Sequence, residues 1–331
     1  MNIVDLHVHS NKSDGTLTPS ELVAHARQKG LSAFALTDHD TIDGLAEAIL
    51  ALHHMQTEYM HSSASHNLTS NIPDNFPSPC REVIPGIEFS TEYCGRDVHI
   101  VGLYIDFLSE SFQQKLVEFI DARDLRNRKM CNKLREEGGI DITYEKLVSE
   151  FPDAVITRSQ FSQYLYKHGV TQSLKEGVDC YIGDHSKYFI PREKVTPMQA
   201  TKLILEAGGI PILAHPVLYG FGKDTLDKLT CELKEAGLIG IEAIYCTYTN
   251  RDEWNIRNLA KKYDLCISGG SDFHGDAKPG LELGTGYGKL VVPESVLTEL
   301  KKQLPAHSKF RTHEILFDEN DHPYWSAITS K

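Results

Sequence analysis

Hydrophobic and polar residues alternate in the first strand-like segment of the chain. Apolar residues from Val4 to Val8 alternate with positions that include His7 and His9. A period of two residues predicts a β-strand, in which the two histidines share one face. Six later segments are also apolar enough to predict strands: 33–37, 83–89, 99–105, 210–214, 240–245 and 265–268.

Helical patterns separate many of the predicted strands. Capping-box sequences predict helix starts at 18–21 (T-P-S-E), 196–199 (T-P-M-Q) and 250–253 (N-R-D-E), and Gly30 is placed to end the first helix. The alternation favours an α/β fold with a parallel sheet. We expect the sheet to close into a barrel, because a barrel brings polar groups from many strand ends to one face.

Two segments interrupt the alternation. Residues 107–189 have a helical pattern without a convincing strand. We therefore expect a barrel domain formed by 1–106 and 192–331, with a small all-helical insertion domain at 107–191 that caps the substrate site. Residues 53–81 are polar, rich in Ser, Asn and Pro, and without sustained periodicity. They predict a long, mobile surface loop, of a kind that sometimes acts as a lid. The alternative is that its histidines are extra metal ligands: His53, His54, His61 and His66.

Charge and cysteine content narrow the classes of function. The 331 residues include 46 acidic and 34 basic side chains, for a formal net charge of −12. This excess opposes sequence-independent binding to long nucleic acid or an anionic membrane, so a polyanion must be held by local basic groups. Seven cysteines form no C-x-x-C pair, and neither a signal-peptide pattern nor a run of 18 apolar residues is present. We expect a reduced, cytoplasmic protein that does not bind membranes.

The candidate ligands are histidines and carboxylates at or just beyond the predicted strand ends. Two residues apart on a strand, His7 and His9 lie about 7 Å apart at the backbone, and both rings can lean toward one ion at about 2.1 Å. Imidazole and carboxylate without thiolate suit zinc, manganese or iron. The candidate metal ligands are His7, His9, Asp14, His39, Glu88, His99, His215, Asp272 and His274. Three further aspartates are expected to orient these ligands: Asp5, Asp38 and Asp40.

These motifs resemble those of a known family. DLHVHSNKSDG, LTDHDT, PGIEFS, VHIVGLYID, GGIPILAHP and GGSDFHG are similar to the motifs of the PHP (polymerase and histidinol phosphatase) family of metal-dependent phosphoesterases, over nearly the whole chain. The resemblance implies a distorted seven-stranded β/α barrel with two or three divalent ions at the C-terminal ends of the strands. It is strongest to the branch that acts on small nucleotides and has a helical insertion over the metals.

The resemblance also implies how the ligands divide among three ions. One ion would be held by His7, His9, Glu88 and Asp272. A second would be held by Glu88, His99 and His215, so that Glu88 bridges two ions. The third would be held by Asp14, His39 and His274.

The insertion supplies candidate substrate ligands. Residues 116, 120, 123, 127, 130 and 134 form one helical stripe in which Arg123 and Asn127 interrupt an apolar face. Burying such groups without partners costs several kcal/mol, so we expect them to face a polar pocket. An arginine paired with an acid at the domain interface is the alternative. Arg126 and the neighbouring basic residues 128 and 129 are expected at the surface.

A second anion site is predicted where T-R-S-Q at 157–160 places Arg158 in the first turn of a helix. Exposed amides, the helix dipole and a guanidinium together suit a phosphate. This arginine matches the phosphate-binding arginine of the nucleotide-acting branch. An ordinary capped helix with a surface arginine is the alternative.

Together these features predict a metal-dependent phosphatase that hydrolyses a small nucleotide by metal-activated hydroxide. The substrate class is a 3',5'-nucleoside bisphosphate, converted to the nucleoside 5'-monophosphate. His215, Asp272 and His274 are the candidate catalytic residues, and no G-x-S-x-G nucleophile motif is present. Four other functions remain open: 5'-to-3' trimming of short RNA, hydrolysis of histidinol phosphate, amidohydrolase-like C–N hydrolysis, and an inactive metal-bound scaffold.

Overall fold

A computed structural model describes residues 2–65, 80–152, 154–183, 186–190, 195–306, 308 and 323, with the backbone alone for 58–65. Seven strands form one sheet in chain order: β1 (Val4–Val8), β2 (Ala33–Leu36), β3 (Glu82–Tyr93), β4 (Arg96–Leu103), β5 (Ile210–Leu213), β6 (Gly240–Tyr245) and β7 (Cys266–Gly270). The sheet closes where Asp272 N donates to His7 O and His9 N donates to Phe273 O, both over 2.9 Å. The predicted α/β barrel is confirmed.

The sheet is mixed, so the expectation of a parallel sheet is wrong for one strand. β4 runs antiparallel to both β3 and β5. The reason is the two-residue turn between β3 and β4, in which Cys94 and Gly95 have φ values of 52° and 74°. Two successive positive φ values make the tight turn that returns a chain antiparallel to itself. Because β4 is reversed, its first residues lie at the barrel edge where the parallel strands end.

Helices surround the barrel. Their bounds are α1 (Pro19–Gln28), α2 (Leu45–Ser65), α3 (Glu110–Gly138), α4 (Tyr144–Glu150), α5 (Arg158–Lys167), α6 (Leu174–Glu176), α7 (Pro197–Glu206), α8 (Lys223–Ala236), α9 (Asn250–Lys262) and α10 (Glu294–Lys301). The capping boxes that start α1, α5 and α7 are confirmed. The box that starts α9 uses Thr249 and Asp252, one residue earlier than predicted, because the threonine hydroxyl accepts the Asp252 amide.

Three hydrophobic clusters hold these layers together. The largest packs the outer face of the sheet against the surrounding helices, with Leu22 of α1 and Leu203 of α7 buried in it. A second joins six strands to α10 through residues such as Val4 and Leu300. The third belongs to the segment between β4 and α7. A separate apolar core agrees with an inserted helical domain, whose boundaries at 107–191 stay a prediction.

The prediction of a long loop at 53–81 is wrong for its first residues. α2 continues through His53 and His54 to Ser65, so the polar residues at its C-terminal end extend a helix rather than start a loop. The rest of that prediction, including His66, lies outside the described residues. In the part of the chain that the structure covers, no helix is long and apolar enough to cross a membrane.

Candidate metal centre and adjoining cavities

The predicted ligands meet at one edge of the barrel. His7 lies in β1 and Glu88 in β3, while others follow the ends of β2, β5 and β7. His99 reaches the same edge because it lies near the start of the reversed strand β4. We call the nine residues the ligand cluster: His7, His9, Asp14, His39, Glu88, His99, His215, Asp272 and His274.

Glu88 lies at the centre of the ligand cluster. Its Oε2 is 3.1 Å from Nε2 of both His7 and His9. Its Oε1 is 2.9 Å from His99 Nδ1 and 3.0 Å from His215 Nε2. The two carboxylate oxygens therefore face two different sets of imidazoles, an arrangement that suits a carboxylate shared between two cations.

A further set of ligands lies on the Asp14 side of the cluster. Asp14 Oδ1 is 3.1 Å from His274 Nε2 and 3.6 Å from His9 Nδ1. Asp14 Oδ2 is 3.8 Å from His39 Nε2. Asp14 thus lies among the imidazoles of His9, His39 and His274.

The chemistry of these donors fits divalent cations. Ligand atoms fall into groups within 4.8 Å of one another: His7, His9, Glu88 and Asp272; His9, Asp14, His39 and His274; and His39, Glu88 and His99. Among the described residues, His7 Nε2, His9 Nε2 and Glu88 Oε2 are buried and have no hydrogen-bond partner, although they lie close to each other. Buried polar atoms are normally satisfied, so lone pairs that converge without hydrogen bonds indicate a cation site.

Burial and neighbouring charges set the ionisation of the cluster. Burial opposes ionisation of Glu88, but positive charge on His7 and other imidazoles outweighs it and holds the pKa of Glu88 well below its usual range. Burial lowers the pKa of His39 to about 3, and burial together with the Lys278 ammonium lowers that of His274. Burial opposes protonation of His7 and His9, but the neighbouring carboxylates outweigh it and raise the pKa of both rings, that of His9 to about 9. Ionised carboxylates and neutral imidazoles are the forms that bind metal, so a cation would have to displace protons from these two rings.

Two ligands have strained backbones. His215 and Asp272 have φ values of 25° and 55°. Such conformations cost about 1–3 kcal/mol per non-glycine residue and persist only where surrounding contacts impose them. The His215 amide donates to Glu242 Oε2 over 2.7 Å, and the Asp272 amide donates to His7 O over 2.9 Å. These two hydrogen bonds hold the strained backbone conformations, in which the side chains of His215 and Asp272 enter the ligand cluster.

Sequence reasoning missed several residues that contact the cluster, among them Glu242, Tyr245 and Lys278. Glu242 Oε1 accepts from His7 Nδ1 over 3.3 Å, Tyr245 Oη donates to Asp272 Oδ2 over 2.7 Å, and Lys278 Nζ donates to the same oxygen over 2.5 Å. Glu242 is a lone carboxylate in the otherwise apolar strand β6, and this pattern is the sequence signal that could have identified it. Nothing in the sequence distinguishes Lys278 from a surface lysine.

Two of the predicted orienting aspartates hold loop backbone next to the ligands. Asp38 accepts from the Ser10 amide over 2.7 Å and from the Ser13 hydroxyl over 2.6 Å. Asp5 accepts from the Ser271 amide over 2.8 Å. Both carboxylates are buried and stabilise the chain segments that carry His9 and Asp272.

Two cavities adjoin the ligand cluster. One, of about 390 Å³, is lined by seven of the nine ligands together with Lys278 from the barrel and Lys175 from α6. The other, of about 650 Å³, shares His99 and His215 with the first and continues to Arg158. The second cavity places a guanidinium next to the metal ligands.

The predicted substrate residues occupy different surroundings. Arg158 begins α5, where its Nη2 is 2.9 Å from Asp97 Oδ2 and its guanidinium lies over the Phe189 ring. Arg123 is 2% exposed and is bound to Asp40, so the expectation that it faces a polar pocket is wrong and the interface ion pair is correct.

Two other residues of α3 are also buried. Asn127 donates to Ile156 O over 2.8 Å, and its Oδ1 has no hydrogen-bond partner among the described residues. Arg126 is 7% exposed, which corrects its predicted surface location, because the third hydrophobic cluster covers that side of the helix near Met130.

Comparisons with known proteins agree with this geometry. A family model described as the PHP domain matches residues 5–103. The chain is 33% identical over 270 residues to a 5'-3' exoribonuclease from Haemophilus influenzae, covering 82% of this chain and 89% of that protein. It is 28% identical to a 3',5'-nucleoside bisphosphate phosphatase from Chromobacterium violaceum, covering 85% of this chain and 90% of that protein.

A solved structure is similar over most of its length. It is described as an amidohydrolase from Chromobacterium violaceum with bound sulfate and no metal. The TM-score is 0.74 at 27% identity, and the match covers 92% of this chain and 98% of that chain. The α/β barrel fold of this chain therefore has a counterpart of known structure.

Proposed function

Since this chain belongs to the PHP family of metal-dependent phosphoesterases, we propose that it removes the 3'-phosphate from a 3',5'-nucleoside bisphosphate. The observation that carries the proposal is the pair of adjoining cavities, one over the ligand cluster and one reaching Arg158. A substrate with two phosphates would place the reacting one at the cluster and the other near Arg158. Two relatives are described as a 5'-3' exoribonuclease and a 3',5'-nucleoside bisphosphate phosphatase, and both names denote hydrolysis of phosphate esters. They support this choice over hydrolysis of a C–N bond.

We propose two or three divalent ions, of manganese, zinc or iron, held by the nine residues of the ligand cluster. Bound ions would supply Lewis-acid charge to the phosphoryl oxygens and make water more acidic. The protein itself positions the ester. Lys278 has its ammonium at the cavity surface, where it can donate to a phosphate oxygen, and Arg158 can bind the second phosphate as a planar fork.

His215, Asp272 and His274 are the proposed catalytic residues, because all three line the cavity in which the phosphate would react. The proposal does not include Arg123 or Asn127 as direct substrate ligands. Both are buried within contacts of α3, and neither lines the cavities next to the cluster among the described residues. A cytoplasmic location, also proposed, agrees with seven cysteines that are all free thiols.

The test is phosphate release by chelator-treated protein reloaded with manganese, zinc or iron. We expect faster release from 3',5'-bisphosphates than from p-nitrophenyl phosphate. His9→Ala and Asp272→Ala should lower turnover by more than about a hundredfold, because the ions contribute several kcal/mol of charge stabilisation. His54→Ala, at an exposed position of α2, is the matched control. Unchanged turnover by folded His9→Ala would reject the site.

Exonucleolytic trimming of short RNA is the second candidate, since the 33% identical relative is a 5'-3' exoribonuclease. The two activities give different products. A 5'-phosphorylated oligoribonucleotide would be converted to mononucleotides by an exonuclease, whereas a bisphosphate phosphatase would release inorganic phosphate from the nucleotide. Chromatography of both reactions with the same enzyme preparation decides between them.

A further inference from the structure

Arg123 connects α3 to the barrel through a buried ion pair. Its Nε donates to Asp40 Oδ2 over 2.8 Å, and its Nη2 contacts the same oxygen and donates to Ser90 Oγ over 2.7 Å. The side chains of Arg123 and Asp40 are 2% and 0% exposed. Such a pair depends on both partners, because a lone buried charge is strongly disfavoured.

Asp40 and Ser90 adjoin two residues of the ligand cluster. Asp40 directly follows His39, and its amide donates to Glu88 O over 3.0 Å. The Ser90 amide donates to Asp40 Oδ1 over 3.0 Å, and Ser90 Oγ lies 3.4 Å from His39 Nδ1. The loop after β2 is thus attached to β3 through the Asp40 carboxylate, with Ser90 on one oxygen and Arg123 on the other.

The backbone of Asp40 needs these contacts. Its φ is 51°, in the left-handed region that residues other than glycine rarely adopt. We infer that Arg123 is a positioning residue, which holds Asp40 and thereby places His39 and Glu88 for metal binding. The inference rests on the metal centre of the proposed function and is independent of its substrate.

The test is manganese binding to the chelator-treated full chain, measured by titration calorimetry. Arg123→Met should weaken binding of at least one ion about 10- to 100-fold, the usual effect of losing a residue that orients a ligand. With saturating manganese, kcat should fall while KM changes less than about twofold, because Arg123 lines neither cavity next to the cluster in the described part of the chain. Arg123→Lys should recover part of the manganese affinity, since it keeps the positive charge but loses the planar guanidinium that donates to Asp40 and Ser90 together.

Lys301→Met is the matched control. Lys301 Nζ donates to the buried carboxylate of Glu82 over 2.6 Å. Glu82 lies six residues before Glu88 on β3, or about 20 Å away along the strand. We expect this variant to lower the thermal unfolding temperature with unchanged manganese affinity.

Two results would overturn the inference. A rise in KM with manganese binding as in the wild type would make Arg123 a substrate ligand. A lower unfolding temperature with unchanged manganese affinity, as in Lys301→Met, would make it purely structural. If Arg123→Met does not fold, Asp40→Asn replaces it under the same criteria. A wild-type protein that binds manganese but hydrolyses no nucleotide would reject the proposed substrate and leave the binding test decisive.

Discussion

Glu242 supports two residues of the ligand cluster from the middle of an otherwise apolar strand. One carboxylate oxygen accepts from the His7 ring, and the other accepts from the strained His215 amide. A carboxylate that accepts from the far nitrogen of a ligating imidazole fixes the ring and raises its basicity. Two residues of the ligand cluster, one in β1 and one just after the end of β5, are therefore aligned by a single residue of β6.

Glu242→Gln keeps the side-chain volume and removes the charge. We expect manganese affinity to fall about 10- to 100-fold, because the His7 ring loses its anionic acceptor. Titration calorimetry on chelator-treated protein measures the effect. Glu235→Gln, an exposed glutamate on α8, should bind as the wild type does. Equal affinity for both variants would contradict the assigned role of Glu242.

Lys278 contacts Asp272 and lines the cavity, so its removal separates substrate binding from metal binding. For Lys278→Met we expect kcat/KM to fall about 10- to 100-fold, since a charged hydrogen bond contributes about 1.5–3 kcal/mol. Manganese affinity should not fall, because the ammonium competes with a cation for Asp272. Lys289→Met, at an exposed position, is the control. Weaker manganese binding by Lys278→Met would show a structural role instead.

At the scale of elements, the start of α5 is joined to the segment that carries Asp14. Thr157 Oγ1 accepts the Ser159 amide over 3.0 Å and also lies 3.2 Å from Asp14 Oδ2. Gln160 Nε2 donates to Ser13 O over 2.6 Å. The capping box of this helix thus starts the helix and contacts the metal-ligand segment. The capping box of α1 is exposed, and its role is to start the helix.

Thr157→Ala and Thr18→Ala remove the same type of cap from α5 and α1. We expect each to lower the free energy of unfolding by about 1 kcal/mol in denaturant titrations. Only Thr157→Ala should weaken manganese binding, by about two- to tenfold, through the lost contact with Asp14. If both variants bind manganese as the wild type does, α5 does not position Asp14.

At the scale of the whole molecule, positive charge near the cluster is local. The chain has a net charge of −12, while Lys278, Lys175 and Arg158 line the two cavities. A few cations in an acidic protein bind one or two phosphates without attracting a long polyanion. The salt dependence of the reaction therefore reports the length of the substrate.

For a nucleoside bisphosphate we expect KM to rise less than about tenfold between 50 and 200 mM salt, given a slope of about −0.7 for each phosphate contacted. An RNA held through six phosphates would lose more than about a hundredfold over the same range. Steady-state kinetics at several salt concentrations make the measurement. A steep slope on short RNA, with little turnover of bisphosphates, would favour the exonuclease.

Local patterns in the sequence determined the strands, the starts of α1, α5 and α7, and the identity of the candidate ligands. His7 and His9 could be assigned to one face because side-chain direction alternates within a strand, and the capping box of α1 involves residues three apart. These features depend on neighbours in the chain. The family resemblance added the barrel and the grouping of ligands, which no single segment specifies.

Tertiary structure alone decided the features that depend on distant residues. The direction of β4 follows from positive φ at Cys94 and Gly95, a turn without the usual Asn-Gly signature. Arg123 is separated from Asp40 by 83 positions, and Glu242 from His7 by 235. Which partner neutralises a buried charge depends on how the chain folds back on itself, because the pairing has no local period. The sequence therefore determined which groups can bind metal, and the fold decided which residues position them.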